Sequence, residues 1–207
     1  MEELPQNHIN DKKINKTTNG EKLTQKLFCE RFDLNLEKIP ESKKQTPDFF
    51  LKKNDKKIAV IEVKDLEDIT PTTKNPVGYK KDNFGLWFKD DNSASRISKR
   101  INEAHTQLKN NFHLPKIIVL VNYSLSLDVL DLHATLDGYL IYVSKEGARI
   151  KNLSPYNKIS PIVRKKFKDI DLYFWIETNN QKIKKFGYDI ICFPNDQSIL
   201  RKILENE

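Results

Sequence analysis

Two short apolar segments of the chain carry charged residues of the kind that can do chemistry. Asp48 stands in Pro47–Lys52, and Glu62 and Lys64 stand in Lys56–Lys64. Carboxylate oxygens are the ligands that hard divalent ions such as Mg²⁺ prefer. A divalent ion can activate water and neutralise phosphate charge, and an ammonium can hold a phosphate oxygen. These residue types therefore indicate metal-assisted phosphodiester hydrolysis.

Strand geometry predicts that the three side chains converge. Asn54 and Asp55 separate the two segments and tolerate the backbone of a tight turn, so the segments are expected to form a β-hairpin. Side chains alternate along a strand, which puts Glu62 and Lys64 on one face. Pairing outward from the turn places Asp48 beside Glu62. Two adjacent carboxylates repel each other unless a cation lies between them.

This arrangement resembles the active site of the PD-(D/E)XK nuclease superfamily. Pro47-Asp48 matches the first half-motif, and Glu62-Val63-Lys64 matches the second. The resemblance implies that Asp48, Glu62 and the backbone carbonyl of Val63 hold Mg²⁺ or Mn²⁺, and that Lys64 takes the role of the catalytic lysine. It also implies a restriction-endonuclease-like core with the element order α-β-β-β-α-β.

The resemblance covers roughly Glu21 to Asn111 and implies two further site residues. An acidic residue on the preceding helix often completes the family site, and Glu21 and Glu30 both compete for that place. We select Glu21, because helical spacing directs it toward the sheet. Some branches of the family also use a glutamine on the helix after the catalytic strand, and Gln107 occupies a suitable position there.

Positive charge indicates an anionic partner. The chain has 36 Lys+Arg against 29 Asp+Glu, a formal net charge of +7. Eight basic residues and one acidic residue fall between Lys145 and Lys168. A solvated surface would explain this segment as well as a phosphate-binding surface does. The candidate nucleic-acid contacts are Arg96, Lys99, Arg100, Gln107, Arg164, Lys165 and Lys166.

Composition excludes several other classes of protein. At 207 residues with 10% aromatic content, the chain can bury a sizeable core. The longest unbroken apolar run, Ile117 to Val121, is too short to cross a bilayer, and residues 1–20 contain no apolar signal segment. Cys29 and Cys192 lie too far apart in sequence for a zinc knuckle. A cytoplasmic protein without membrane association is expected.

Periodicity predicts the elements that position the site. We expect helices at Glu21–Phe32, at about 93–111 and at Leu127–Leu136, and a terminal helix from about Gln197. Strands are expected outside the hairpin at Pro115–Tyr123, Tyr139–Val143, 170–177 and Tyr188–Phe193, and residues 66–92 are expected to form a long loop. This order predicts an α/β fold with a central mixed β-sheet flanked by helices.

The predicted organisation is a flexible arm, residues 1–20, before a single nuclease-like domain, residues 21–207. Within that domain, residues 21–143 form the core, and residues 144–207 contribute the basic segment with the last strands and helix.

The leading functional hypothesis is a magnesium-dependent nuclease, specifically a DNA endonuclease. One site cuts one strand, so double-strand cleavage would require a homodimer. A catalytically inactive nucleic-acid-binding module of the same fold is the first alternative, and a protein-interaction or effector domain is the second.

Overall fold

The computed structural model describes residues 17–40, 45–67, 79–81, 87–89, 93–109, 113–124, 126–137, 140–143, 149–152, 166–178 and 187–192. Only the backbone is described for 79–81, 87–89, 140–143, 149–152 and 187–192. The protein is α/β, as the sequence predicts, with a six-stranded mixed sheet between helices.

The elements follow the chain in an order that begins with one helix and three strands. Helix α1 spans Asn19–Phe32, and it is followed by β1 (Asn35–Lys38), β2 (Phe49–Lys53) and β3 (Lys56–Leu66). The next elements are β4 (Tyr79–Lys81), β5 (Trp87–Lys89), α2 (Ser93–Leu108), β6 (Lys116–Asn122) and α3 (Val129–Asp137). The last are β7 (Leu140–Val143), β8 (Arg149–Asn152), β9 (Leu172–Glu177) and β10 (Gly187–Cys192).

The main sheet has the strand order β1-β2-β3-β6-β9-β10. The β1–β2, β2–β3 and β9–β10 pairs are antiparallel, whereas β3–β6 and β6–β9 are parallel. Parallel neighbours need a crossover connection, and α2 lies in the chain between β3 and β6. Helix α1 packs on one face of the sheet through Phe28 and Phe32, and α2 and α3 pack on the other.

The β2–β3 hairpin is confirmed. Its turn is Asn54-Asp55, where both residues have positive φ, at 49° and 60°. This backbone matches the twist of the two strands, and Asn and Asp tolerate it better than most residues. The pairing is not continuous from the turn, because the register shifts by one residue between Leu51 and Lys52, and beyond that shift Phe49 pairs with Ile61.

Strand β3 separates two cores by its side-chain alternation. Ile61 and Val63 face the α1 side, and Val60 and Leu66 face the α2 side. Glu62 and Lys64 have the parity of Val60, so they project toward α2.

Several predicted elements differ from the observed ones. Helix α1 begins at Asn19, two residues before its predicted start, because Thr18 caps the helix. The Thr18 side chain accepts a hydrogen bond from the Glu21 N–H, and the Glu21 carboxylate accepts one from the Thr18 N–H. The predicted loop at residues 66–92 contains a two-stranded sheet of β4 and β5. Strand β1 was not predicted.

Strand β9 is buried on both faces, although the alternation of aliphatic residues and Phe174 with Asp171, Tyr173, Trp175 and Glu177 is typical of a half-buried strand. Tyr173 and Trp175 are 1% and 0% exposed. They pack between the sheet and α2. Strand β10 pairs with β9, as predicted. Residues 1–16 and the predicted terminal helix lie outside the described residues.

None of the helices in the described ranges is long and apolar enough to cross a membrane.

Candidate functional site

The site lies where β2 begins and its ladder with β3 stops. In the register that pairs Phe49 with Ile61, the residue before Phe49 falls opposite Glu62. Asp48 donates its N–H to the Ile61 carbonyl at 3.1 Å. Its side chain then continues the ladder, since Asp48 Oδ2 accepts from the Val63 N–H at 2.9 Å. This bond fixes the Asp48 carboxylate against the backbone of β3.

Glu62 is fully buried in the middle of β3. One oxygen, Oε1, accepts from Lys64 Nζ at 2.5 Å. The other, Oε2, has no hydrogen-bond partner among the residues that the structure describes. Burial, followed by the neighbouring charge of Asp48, raises the pKa of Glu62 from 4.5 to about 8, although Lys64 acts in the opposite direction. A buried acid lacking a partner on one oxygen is well suited to receive a cation.

Gln107 on α2 holds Lys64 in place. Lys64 Nζ donates to Gln107 Oε1 at 2.5 Å, and Gln107 Nε2 donates to the Thr46 carbonyl at 3.5 Å. The amide thus joins the helix, β3 and the segment that leads into Asp48. An ammonium carries three N–H donors, and these contacts with Glu62 and Gln107 account for two of them.

Glu21 reaches the site from the opposite face of the sheet. It is 7% exposed, in the first turn of α1. Burial raises the pKa of Glu21, and the charge of Asp48 acts in the same direction, against the hydrogen bond from Lys38. Glu30, the other helix acid considered, is instead 65% exposed and lies 4.0 Å from Lys26. The structure therefore brings Glu21, and not Glu30, to the site.

Lys38 is a site residue that the sequence did not identify. It is the last residue of β1, and its Nζ donates to Glu21 Oε2 at 2.8 Å and to Asp48 Oδ1 at 3.3 Å. Burial acts against the charged amine, but the hydrogen bond to Glu21 and the two nearby carboxylates outweigh it and raise the pKa of Lys38. Lys38 therefore stays an ammonium at neutral pH.

Asp48 is the shared member of two acidic pairs. It interacts with Glu62 on the α2 side and with Glu21, through Lys38, on the α1 side. Nowhere in the described ranges do three His, Cys, Asp or Glu side chains form a group that could hold a metal ion. The donor set that fits an oxygen-ligated divalent ion is the Asp48–Glu62 pair, with the orphaned Glu62 Oε2. The Val63 carbonyl points to the same side of β3 as its N–H, hence toward Asp48.

The candidate nucleic-acid contacts have different surroundings. Arg96 donates to Ser126 Oγ at 3.1 Å and to the Glu67 carbonyl at 2.5 Å, so it connects α2 to the ends of β3 and β6. Arg100 pairs with Glu103 at 2.9 Å on the same helix.

The remaining basic candidates are either surface groups or residues outside the described ranges. Lys166 donates to Asn102 Oδ1 at 2.6 Å, and Lys99 is exposed. Arg164 and Lys165 fall outside the described residues, as does much of the basic segment. Among the candidates that the structure describes, Gln107 is the one with a hydrogen bond to the Asp48–Glu62–Lys64 cluster.

A second polar cluster involves His105, which lies in the last turn of α2. His105 Nε2 and Asp169 Oδ1 are 2.8 Å apart, and Lys116 Nζ donates to Asp169 Oδ2 at 2.7 Å. The His105 ring also packs edge-on against Phe167. These bonds attach the segment before β9 to α2 and β6, which is a structural role.

No known family model, curated protein or solved structure matches this chain.

Proposed function

We propose that this protein is a metal-dependent nuclease that hydrolyses phosphodiester bonds, most specifically a DNA endonuclease of the PD-(D/E)XK type. The observation that carries the proposal is the convergence of Asp48, Glu62 and Lys64 at the end of the β2–β3 ladder, with Glu62 Oε2 buried and unpartnered among the described residues. Most buried polar atoms in proteins have a hydrogen-bond partner, so this oxygen supports a ligand-binding role.

The residues have separate roles in the proposed reaction. Asp48, Glu62 and the Val63 carbonyl would hold Mg²⁺ or Mn²⁺, which supplies activation of water and neutralisation of phosphate charge. Lys64 would use its third N–H to hold a phosphate oxygen. Gln107 would fix the direction of that N–H, since it occupies another of the three donors. Glu21 would hold Asp48 in place through Lys38.

The net charge of +7 supports an extended anion as substrate. Arg96 and Arg100 lie on the helix that carries Gln107, but both also bond to neighbouring protein groups. The charge argument therefore rests on the chain as a whole.

The test is a cleavage screen with supercoiled plasmid, single-stranded DNA, branched DNA and RNA. Each substrate is incubated with Mg²⁺, with Mn²⁺ or with a chelator. We expect metal-dependent nicking of DNA by the natural chain and none by Glu62→Gln, which preserves side-chain size. Glu30→Gln is the matched control, because it changes an exposed acid away from the site. Equal metal-dependent nicking by Glu62→Gln would refute the mechanism.

One observation favours a second candidate, a nucleic-acid-binding module without turnover. Lys38 already supplies a positive charge between Glu21 and Asp48, which partly neutralises the acids without metal. Binding of DNA that weakens steeply with salt, combined with no cleavage under any metal condition, would select this candidate.

A further inference from the structure

Lys38 places a positive charge inside the acidic cluster. Its Nζ lies 2.8 Å from Glu21 Oε2 and 3.3 Å from Asp48 Oδ1. A divalent ion shared by those two carboxylates would need the same space. The ammonium and the metal would also repel each other at such a separation.

Backbone pairing and side-chain packing, in addition to the two ion pairs, hold Lys38 between Glu21 and Asp48. Lys38 ends β1, which pairs with β2, so its backbone is fixed one strand away from Asp48. The Ile39 N–H donates to the Asp48 carbonyl at 2.9 Å, which ties the two chain segments together. The ammonium lies 4.9 Å from the centroid of the Phe49 ring, and the side chain is 26% exposed. Such packing favours one position of the side chain.

The two sides of Asp48 are therefore unlike. On the α1 side, Lys38 joins Asp48 to Glu21. On the α2 side, Glu62 Oε2 has no partner within the described part of the chain. The Lys38 ammonium thus bridges both carboxylates on the α1 side. On the α2 side, Lys64 binds Glu62 Oε1 alone, and Glu62 Oε2 is left without a partner among the described residues.

We propose, building on the proposed function, that Lys38 is a built-in cation that restricts this site to one divalent ion, held on the Asp48–Glu62 side. The Glu21–Asp48 side would accept a second divalent ion only when the ammonium is removed. Lys38 would thus determine whether the site binds one metal ion or two.

The experiment measures how many Mn²⁺ ions the full-length chain binds, by electron paramagnetic resonance of free Mn²⁺ in an equilibrium titration. We expect one ion for the natural chain and two for Lys38→Met. Lys38→Gln is a second variant, which keeps a polar group and is also expected to bind two. Glu21→Gln added to Lys38→Met should return the number to one, because it removes a ligand of the second ion.

Lys52→Met is the matched control. Lys52 also bridges two carboxylates, Glu37 at 3.1 Å and Asp55 at 3.5 Å, at the other end of the hairpin. Its replacement should leave the number of bound ions at one. Circular dichroism spectra of all variants confirm that each is folded before titration.

The outcomes separate this inference from the proposed function. Two ions in the natural chain would overturn the inference and leave metal-dependent hydrolysis standing. No ion in the natural chain would overturn both. One ion in the natural chain and one in both Lys38 variants would overturn the inference alone.

Discussion

The carboxylate of Asp65 lies directly against the α-carbon of Gly20. A Cβ atom added to Gly20 would come within 1.8 Å of Asp65 Oδ1, which real structures do not tolerate. Because Gly20 has no side chain, the first turn of α1 can approach β3 closely. The negative charge of Asp65 is also favourable at a helix N-terminus. This contact places the next residue, Glu21, beside the site.

Gly20→Ala should destabilise the protein, although Gly to Ala inside a helix normally stabilises. We expect a loss of about 1–3 kcal/mol from the overpacking, measured by urea unfolding. Lys26→Ala, on the exposed face of α1, is the control and should change stability little. In the double variant Gly20→Ala/Asp65→Ala the loss should be smaller than the sum of the single losses. If the losses in the free energy of unfolding were strictly additive, the two residues would not interact.

Glu62→Gln should change how stability depends on pH. The pKa of Glu62 is raised from 4.5 to about 8 by burial and then by Asp48, so the folded state binds a proton more tightly than the unfolded chain does. The folded state therefore loses stability as pH rises through this window. Relative to Glu62→Gln, the natural chain should lose on the order of a few kcal/mol between pH 4.5 and 8.

Urea unfolding in metal-free buffer with a chelator measures this difference. Glu30→Gln is the control, because it replaces an exposed acid away from the site. Parallel profiles for Glu62→Gln and the natural chain would contradict the raised pKa.

Lys64→Met should raise the pKa of Glu62 above about 8. Lys64 lowers that pKa through its charge and its hydrogen bond, in opposition to burial and Asp48, so its loss leaves the raising effects unopposed. The measurement is an NMR titration of the Glu62 side-chain carboxyl carbon. Lys57→Met, a change on the same strand far from Glu62, should leave the midpoint unchanged. A lower midpoint in Lys64→Met would show that the lysine does not stabilise the carboxylate.

Asn122→Asp should destabilise the protein by more than about 3 kcal/mol. The buried Asn122 amide donates to the Leu127 carbonyl at 2.8 Å and to Glu177 Oε1 and Oε2 at 3.1 and 3.0 Å. A carboxylate there removes the donor and sets two negative charges against each other. Asn102→Asp is the control, since its oxygen already accepts from Lys166 at the surface. Denaturant unfolding that finds the two variants equally stable would contradict this account.

The hairpin and its charged side chains could be predicted because the signals are local. Asn54-Asp55 specifies the turn, and strand alternation assigns Glu62 and Lys64 to one face. The register at Asp48 also depends on a one-residue shift between Leu51 and Lys52, which counting outward from the turn does not reveal. The choice of Glu21 over Glu30 followed in the same way from helical spacing. The start of α1 at Asn19 was missed, although Thr18 and Glu21 have the spacing of a capping box.

Lys38 could not be predicted, because nothing in its own sequence neighbourhood marks it. Strand β1 has only four residues, and a lone apolar Leu36 stands among Asn35, Glu37 and Lys38. It becomes a strand by pairing with β2, which is a contact that periodicity does not reveal. The burial of β9 likewise depends on distant contacts, because α1 covers one face of the strand, and α2 and α3 cover the other. The strands at 79–81 and 87–89 are too short to show a pattern.

The Asn54-Asp55 turn lies at the far end of the hairpin from Asp48. Together with the register shift between Leu51 and Lys52, it sets which residue of β3 lies opposite Asp48. Inserting or deleting a single residue at the turn would shift the pairing of β2 with β3 by one residue and turn the Asp48 side chain away from Glu62. A change in the length of this turn would therefore separate the Asp48 and Glu62 carboxylates, even in a protein that still folds.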